Sequence, residues 1–357
     1  MAHRSRYNGV VEAEMGGPAV IYDEVFLAHD TGEHPECAAR LVRTLAVLQE
    51  TGLLDGLEVL SPRPAPREWI ETVHRPAYVR AVESLCATGG GAFDLDTPVS
   101  ARSFEAALAA AGAGLLAVDL LCASPARPSF ALVRPPGHHA EPAEALGFCL
   151  FNNIAIATHY ALRRHGAERV LIVDYDVHHG NGTQHAFYED GRVLYFSVHQ
   201  WPLYPGSGTP EETGVGAGEG RIINVPLPHG TGDEGYLEVF GRVLVPAARR
   251  FQPDLILVSA GYDAHWRDPL ANMSLSVAGY AALATVVKGL AAELCQGRLA
   301  FFLEGGYDLD ALAYGVAATL DALLGLPAAD PLGPSPYRSR RQGALQAIAV
   351  ACRIHGL

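Results

Sequence analysis

Residues 170–182 read Val-Leu-Ile-Val-Asp-Tyr-Asp-Val-His-His-Gly-Asn-Gly, and this stretch decides the fold. Its first four residues are apolar and mostly β-branched, which predicts a strand buried on both faces of a sheet. Asp174, Asp176 and His178 alternate, so an extended backbone directs their side chains to the same face. Two carboxylates and an imidazole at the end of a buried strand indicate a site for a divalent cation such as zinc. The alternative is a polar loop in which Asp and His form turns and cap helices.

Segments with strand character alternate with segments of helical spacing along the chain. The predicted strands are residues 19–22, 130–133, 170–173, 193–198, 255–259 and 299–303. The predicted longer helices are residues 35–49, 103–122, 153–164, 233–250, 276–294, 309–324 and 342–354. This alternation predicts an α/β fold with a parallel sheet covered by helices on both faces. We expect an N-terminal extension at residues 1–17 and one domain over residues 18–357, because no linker or repeat interrupts the pattern.

The composition restricts the classes of function. Of the 357 residues, 49% are hydrophobic and 18% are charged, as expected of a well-packed globular enzyme. The formal net charge of −13 argues against a nucleic-acid partner, since phosphate binding needs clustered Lys and Arg. An acidic chain is compatible with a cationic substrate, and equally with simple solubility.

Cysteine usage and hydropathy indicate the compartment. The six cysteines are scattered without a Cys-x-x-Cys spacing, which is typical of small buried side chains in a reducing compartment. No apolar segment looks long enough to span a bilayer, and the first residues lack an apolar signal core. We therefore expect a cytoplasmic protein without a membrane partner, and an oligomer is compatible with the sequence.

Four of the predicted strands are followed by residues with metal-binding or catalytic chemistry. His138 and His139 follow the strand at residues 130–133, and Asp174, Asp176 and His178 follow the strand at residues 170–173. The segment Ser259-Ala-Gly-Tyr-Asp263 ends the strand at residues 255–259, and the segment Glu304-Gly-Gly-Tyr307 follows the strand at residues 299–303. Because the carboxyl ends of parallel strands meet at one edge of a sheet, we expect these side chains to share one site. Each segment alone is also compatible with a turn or a satisfied loop, but turns do not account for the recurrence at four strand ends.

These segments resemble the motifs of the zinc-dependent histone deacetylase superfamily. The motifs are Arg134-Pro-Pro-Gly-His-His139, Gly147-Phe-Cys-Leu-Phe-Asn-Asn153, residues 174–182, Ser259-Ala-Gly-Tyr-Asp263 and Glu304-Gly-Gly-Tyr307. The resemblance covers residues 18–325 and is closer to the class II-like branch of bacterial histone deacetylase-like amidohydrolases and acetylpolyamine amidohydrolases. Asn181 and Glu304 indicate this branch, because the class I pattern more often has Asp and Gly there. The resemblance implies a three-layer α/β/α domain with a mostly parallel eight-stranded sheet, the arginase-deacetylase fold.

The resemblance also implies the metal centre. Asp176, His178 and Asp263 match the zinc ligands of the family, and three protein ligands leave a position open for water and the substrate carbonyl. A structural potassium ion is implied beside the zinc, with ligands from Asp174, Asp176, His178, Ser197 and Val198. A second potassium site is implied at Phe187, Asp190 and Val193, where Asp190 departs from the small hydroxyl residue often found in the family.

The catalytic roles follow from the same resemblance. His139 matches the general base that later acts as the acid, and Asn181 is expected to orient it. Because Asn181 adds no negative charge, it should raise the pKa of His139 less than a carboxylate would. Asp174 is expected to orient the other catalytic histidine of the pair, His138. Tyr307 matches the donor to the developing oxyanion, and its presence in place of His favours real amidase activity.

Further residues match the substrate tunnel of the family. Phe148 and Tyr204 are expected to wall it, with Gly147 and Gly306 beside the substrate. Tyr204 departs from the commoner Phe. Arg40 matches an arginine below the site that is linked to an acetate exit path, although a purely structural arginine is an equal alternative.

The implied reaction is hydrolytic removal of acetyl or related acyl groups from the lysine side-chain nitrogen of proteins by a metal-activated water. The alternative is an N-acetylpolyamine deacetylase, for which Asp94, Asp96 and Glu33 are candidate acids at the rim, although such acids also orient peptide backbones. Arginase-like guanidino hydrolysis is disfavoured, since a two-manganese site needs more Asp ligands. A catalytically silent acyl-lysine binding module is disfavoured by the intact His139 and Tyr307.

Overall fold

A single sheet of eight parallel strands organises the molecule. The computed structural model describes residues 17–357, so the predicted N-terminal extension lies outside the described residues except for Gly17. The strands in this part of the chain are β1 (Ala19–Ile21), β2 (Glu58–Leu60), β3 (Gly90–Ala92), β4 (Pro98–Ser100), β5 (Ser129–Ala131), β6 (Val170–Asp174), β7 (Val193–Gln200), β8 (Ile222–Leu227), β9 (Leu255–Ala260) and β10 (Leu299–Leu303). Eight form the sheet in the order β2-β1-β5-β10-β9-β6-β7-β8, and every neighbouring pair is parallel. The expected parallel sheet is confirmed, and β3 and β4 form a separate antiparallel pair.

The sequence pattern predicts six strands of this sheet and misses its two edges, β2 and β8. β2 has three residues, two of them exposed, so it lacks an apolar run. β8 reads Ile-Ile-Asn-Val-Pro-Leu and contains Pro226. Proline removes a backbone donor and argues against a central strand, but an edge strand tolerates it.

The four strands that precede the motifs are neighbours in the sheet. β5, β10, β9 and β6 are adjacent in that order, and β6, β9 and β10 are buried along their whole length. Adjacent strands lie about 4.8 Å apart, so four consecutive carboxyl ends span roughly 15 Å. This adjacency brings residues that are up to 169 positions apart, such as His138 and Tyr307, to one edge.

Two groups of helices cover the sheet. The α-helices in residues 17–357 are α1 (Ala39–Glu50), α2 (Arg67–Ile70), α3 (Pro76–Ala87), α4 (Ser103–Cys122), α5 (Asn153–Arg164), α6 (Asn181–Ala186), α7 (Asp233–Val239), α8 (Val245–Phe251), α9 (Val277–Leu294), α10 (Leu309–Leu324) and α11 (Arg341–His355). In one group α4 packs on α5, and in the other α10 packs on both α1 and α9. The central strands are thus shielded from solvent on both faces, as a parallel sheet requires.

Two helices differ from their predicted extent. The helix expected from residue 35 begins at Ala39, because Glu36 lies in a turn that buries its carboxylate against Arg134. The helix expected over residues 233–250 contains a π-helical turn at Phe240–Leu244. Pro246 follows this turn, and its missing N–H cannot complete the regular α-helical hydrogen-bond pattern.

The expectation about membrane-length segments is wrong. By length and composition, α4 and α9 are both apolar enough to cross a bilayer. In this structure 67% of the most apolar 18-residue segment of α4 and 50% of that of α9 are buried inside the protein. Such burial is typical of core helices, so these two helices give only weak support for a membrane span. The cysteines are all unpaired, and Cys122 is exposed rather than buried.

Candidate active site

Asp176, His178 and Asp263 converge at the carboxyl ends of β6 and β9. Nδ1 of His178 lies 3.2 Å from Oδ1 of Asp176 and 3.1 Å from Oδ2 of Asp263. One ligand atom from each residue lies within 4.8 Å of the others, and no second group of this kind is found in residues 17–357. Two carboxylate oxygens and one imidazole nitrogen form a donor set that fits zinc.

Backbone N–H groups orient both carboxylates. Oδ1 of Asp263 accepts from the N–H of Val177 at 2.9 Å, and Oδ2 of Asp176 accepts from the N–H of Gly305 at 2.8 Å. A Cβ atom at Gly261 would collide with the Asp176 carboxylate, and one at Gly305 would collide with that of Asp263. Glycine is therefore required where these two loops approach the cluster.

The cluster concentrates negative charge in the protein interior. Burial and then the charge of Asp176 raise the pKa of Asp263 to about 6. Burial acts to lower the pKa of His178, but hydrogen bonds and charges from both carboxylates outweigh it and raise that pKa to about 10. A divalent cation would neutralise this charge, so the electrostatics of the cluster also fit zinc.

His138 is paired with a buried carboxylate. Nδ1 of His138 lies 3.2 Å from Oδ2 of Asp174, which also accepts from the hydroxyl of Tyr195 at 3.0 Å. Burial acts to lower the pKa of His138, but the charges of Asp176, Asp174 and Glu304 together raise it to about 10. The structure thus brings together the pair that the resemblance implies.

His139 is paired with an amide instead. Nδ1 of His139 lies 2.8 Å from Oδ1 of Asn181. The His139 ring centroid lies 4.0 Å from that of His138 and 5.9 Å from that of His178. Burial, followed by the charges of these two imidazoles, lowers the pKa of His139 well below its ordinary value. A neutral imidazole beside the cluster has the protonation state that a general base needs.

Tyr307 lies above a buried arginine. The Arg40 guanidinium is 5.2 Å from the centroid of the Tyr307 ring. Nε of Arg40 donates to the carbonyl of Gly306 at 2.7 Å, and Nη2 donates to the carbonyl of Glu304. Nη1 pairs with Oε1 of Glu36 at 3.0 Å. Arg40 therefore fixes the backbone that carries Tyr307, which supports the structural alternative for this residue.

Aromatic side chains surround the approach to the cluster. The Phe148 ring packs edge-on against Tyr307 at 5.7 Å, and the Tyr204 ring packs edge-on against His139 at 5.1 Å. Phe148 has a φ of 69°, which is unusual for a bulky residue, and Gly147 before it has a φ of 54°. A Cβ at Gly147 would collide with the His139 ring. Phe148 and Tyr204, which the resemblance implies as tunnel walls, thus each contact one of the predicted catalytic side chains.

The candidate rim acids are exposed. Asp94 and Asp96 lie in the loop between β3 and β4, and Glu33 lies in the segment before α1. Burial raises the pKa of Tyr204 most, and the charges of Asp94 and Asp96 raise it further. Tyr204 itself is 44% exposed, so the two aspartates influence a side chain at the protein surface.

The residues implied for the first potassium site lie at the end of β6 and on the adjacent strand β7. Asp174 and Ser197 are partners in the register of β6 and β7. Val198 follows Ser197, and Asp176 and His178 follow Asp174. Oγ of Ser197 is 2.9 Å from Nδ1 of His199, the next residue on the same face.

The residues implied for the second potassium site are close in the turn before β7. The carbonyl of Phe187 accepts from the N–H of Asp190 at 3.1 Å, and the carbonyl of Asp190 accepts from the N–H of Val193 at 3.3 Å. Arg192 binds the Asp190 carboxylate through Nε at 2.9 Å and Nη2 at 2.6 Å. The Asp190 side chain is therefore committed to a guanidinium.

Glu304 and Asp268 support the site in ways that the sequence pattern does not reveal. Oε2 of Glu304 accepts from the N–H of His138 at 3.1 Å and from that of the preceding glycine at 2.7 Å. Oδ2 of Asp268 accepts from the N–H groups of Tyr307 at 2.7 Å and Asp308 at 3.3 Å. In the sequence, Glu304 is notable only because it indicates the class II-like branch of the family. No sequence pattern distinguishes Asp268 from other loop aspartates.

A family model described as the histone deacetylase domain matches residues 34–323. The chain belongs to the histone deacetylase family. Histone deacetylase 14, chloroplastic, of Arabidopsis thaliana is 45% identical over 316 residues, which cover 84% of this chain and 75% of that protein. The probable deacetylase of Archaeoglobus fulgidus is 41% identical and covers 89% of each chain.

A bacterial relative and a solved structure agree with this membership. The histone deacetylase-like amidohydrolase of Pseudomonas aeruginosa is 37% identical and covers 88% of each chain. The crystal structure of the HDA15 HD domain superposes with a TM-score of 0.86 at 36% identity, covering 95% of this chain and 94% of that one. The protein is a deacetylase with the arginase-deacetylase α/β fold, in a family that depends on zinc.

Asp268→Asn is expected to lower kcat about 10- to 100-fold with little change in KM. The amide would place an NH2 group or a single acceptor against two N–H groups, and the shift of Tyr307 that follows would misalign its hydroxyl. Steady-state kinetics with an acetylated substrate measure this effect. The control is Asp55→Asn, an exposed aspartate outside the site. Wild-type kcat in the Asp268 variant would show that the contact does not position Tyr307.

Proposed function

We propose that this deacetylase hydrolyses the amide of acyl-lysine side chains in proteins or peptides, with zinc bound by Asp176, His178 and Asp263. The observation that carries the proposal is the convergence of these three side chains beside the imidazole of His139. Tyr307, from the neighbouring strand end, supplies a phenol. When bound, zinc supplies a Lewis acid for the acyl carbonyl and for the attacking water.

His139 moves the proton in this reaction. As a neutral imidazole it accepts a proton from the attacking water, whose oxygen forms the new bond to the acyl carbon. When the carbon–nitrogen bond breaks, the imidazolium returns the proton to the leaving lysine nitrogen. The low pKa of His139, caused first by burial, keeps the ring ready to accept this proton near neutral pH.

Tyr307 stabilises the oxyanion of the tetrahedral intermediate. Burial raises the pKa of its hydroxyl well above the ordinary value, so the phenol stays protonated and remains a donor. The hydroxyl donates to the acyl oxygen as negative charge develops there. Arg40 and Asp268 hold the Tyr307 backbone from two sides, which limits reorganisation during the reaction.

A potassium ion beside the zinc is part of the proposal. Its support is the oxygen-rich set where the end of β6 pairs with β7, with the Asp174 carboxylate, the Ser197 hydroxyl and the carbonyls of Asp176, His178 and Val198. Hard cations prefer such oxygen ligands. At the second site, Arg192 occupies the Asp190 carboxylate, so only backbone carbonyls would serve a cation there.

The substrate class is the finer part of the proposal. The aromatic walls formed by Phe148 and Tyr204 suit the alkyl stem of lysine, and the exposed Asp94 and Asp96 suit the backbone N–H groups of a peptide. The same two acids would also attract the remote ammonium groups of an N-acetylpolyamine, which is the second candidate.

A panel of kcat/KM values for acetyl-lysine peptides, longer acyl-lysine peptides, N-acetylputrescine and N-acetylspermidine tests the proposal. We expect the acetyl-lysine peptide to exceed both polyamines by about 10-fold or more, which corresponds to about 1.4 kcal/mol of transition-state binding. A hydroxamate should block the turnover. Preference for the polyamines would establish the second candidate, and no turnover of any member would overturn both.

A further inference from the structure

Asn181 contacts a carboxylate, that of Glu141, which lies outside the family motifs. Nδ2 of Asn181 donates to Oε1 of Glu141 at 2.7 Å, while Oδ1 lies 2.8 Å from Nδ1 of His139. Oε2 of Glu141 lies 2.6 Å from Nδ1 of His185, whose side chain is 66% exposed. A continuous series of contacts therefore runs from the catalytic imidazole to the protein surface.

The Glu141 carboxylate at 2.7 Å, together with the more distant backbone carbonyl of His139 at 3.3 Å, determines which way the Asn181 amide faces. A carboxylate only accepts hydrogen bonds, so the NH2 end of the amide must point at Glu141. The oxygen end must then point at His139, and Nδ1 of His139 must carry the hydrogen that this oxygen accepts. In a neutral imidazole the other nitrogen, Nε2, is left as the acceptor. A flipped amide would oppose two oxygens at 2.7 Å and would demand the opposite tautomer.

Glu141 is itself fixed through its backbone. Nε2 of His74 accepts from the N–H of Asn152 at 2.8 Å, so Nδ1 of the neutral His74 ring carries the hydrogen. This Nδ1–H donates to the carbonyl of Glu141 at 2.9 Å. Burial lowers the pKa of His74 to about 4, which keeps this ring neutral. The N–H of Glu141 also donates to the carbonyl of Glu144 at 3.0 Å.

We propose that Glu141 is a positioning residue that fixes the amide orientation of Asn181 and thereby holds His139 in the tautomer with Nε2 as the free base. This inference rests on the proposed role of His139 as the general base. It revises the expectation that an asparagine partner leaves this histidine without a supporting negative charge. The carboxylate is present, but it acts through one intervening amide.

Glu141→Gln separates orientation from packing, because glutamine keeps the shape but presents either an oxygen or an NH2 group to Asn181. We expect kcat to fall about 10- to 100-fold, by analogy with the residues that orient metal-bound imidazoles in other enzymes. Asn181→Asp should also lose activity, because two carboxylates would then face each other. The double variant Glu141→Gln/Asn181→Asp exchanges the two groups and should recover most of the wild-type kcat.

The matched control is Glu189→Gln, an exposed glutamate close to His185 in the sequence and outside this series of contacts. ¹⁵N chemical shifts of the His139 ring in the zinc-loaded enzyme give a readout that is independent of turnover. We expect a protonated Nδ1 in the wild type and in the double variant, and a mixture of tautomers in Glu141→Gln. Additive losses in the double variant, or an unchanged tautomer and kcat in Glu141→Gln, would overturn the inference. Failure of the proposed reaction would appear separately, as a wild-type enzyme without turnover.

Discussion

Asp263→Ala is expected to release zinc from the purified enzyme and to lower kcat/KM about 10³-fold or more. Two ligands would remain, and a catalytic zinc site is built from three protein ligands. Loss of the metal removes several kcal/mol of transition-state stabilisation, and 1.36 kcal/mol corresponds to a factor of ten. Metal analysis of the purified variant, together with kinetics on an acetyl-lysine peptide, measures both effects.

The control for this experiment is Asp310→Ala, which removes a carboxylate that is 40% exposed on α10 and pairs with Arg43. Its zinc content and activity should match the wild type. Asp263→Asn tests the same ligand without changing its shape, and thermal unfolding reports whether either variant folds. A folded Asp263→Ala protein with full zinc content and activity would disprove the proposed metal centre.

Tyr307→Phe is expected to lower kcat about 10²- to 10³-fold while KM changes little. The phenol donates its hydrogen bond when negative charge develops on the acyl oxygen, so its loss affects the transition state more than the bound substrate. The ring stays in place, because Phe148 and Arg40 contact the ring rather than the hydroxyl. Rate constants measured at saturating acetyl-lysine peptide give the change in kcat directly.

Tyr337→Phe is the matched control, since Tyr337 is 65% exposed and lies between α10 and α11. Zinc content should be unchanged in both variants, which separates the loss of the donor from loss of the metal. If Tyr307→Phe retains the wild-type kcat, the oxyanion is stabilised by other groups and the role assigned to Tyr307 is wrong.

The sequence predicts the central strands because each of them carries its own apolar pattern. Residues 170–173 and 299–303 are short apolar runs that are typical of buried strands, and their alternation with helical segments predicts a parallel sheet. The two edge strands lack such a pattern, because β2 is short and exposed and β8 contains Pro226. Their assignment depends on which neighbours the tertiary structure provides, which a one-dimensional pattern does not contain.

The same division applies to the site. Asp176 and His178 are close in the sequence, and the alternation of an extended chain is enough to predict that they face the same way. Asp268 and Glu141 are ordinary loop acids in the sequence, and their contacts with Tyr307 and Asn181 arise only when separate loops fold together. Residues inside the family motifs, including the histidine partners Asp174 and Asn181, can thus be predicted from the sequence, whereas supporting residues in the other loops cannot.

The predicted entrance to the site is built from other parts of the chain than the metal cluster. Its outer wall comes from the β3–β4 hairpin, which carries Asp94 and Asp96, and from the connection between β7 and β8, which carries Tyr204. The proposed zinc ligands follow other strands, β6 and β9. Substitutions in these two connections can therefore change the surface beside His139 without altering Asp176, His178 or Asp263.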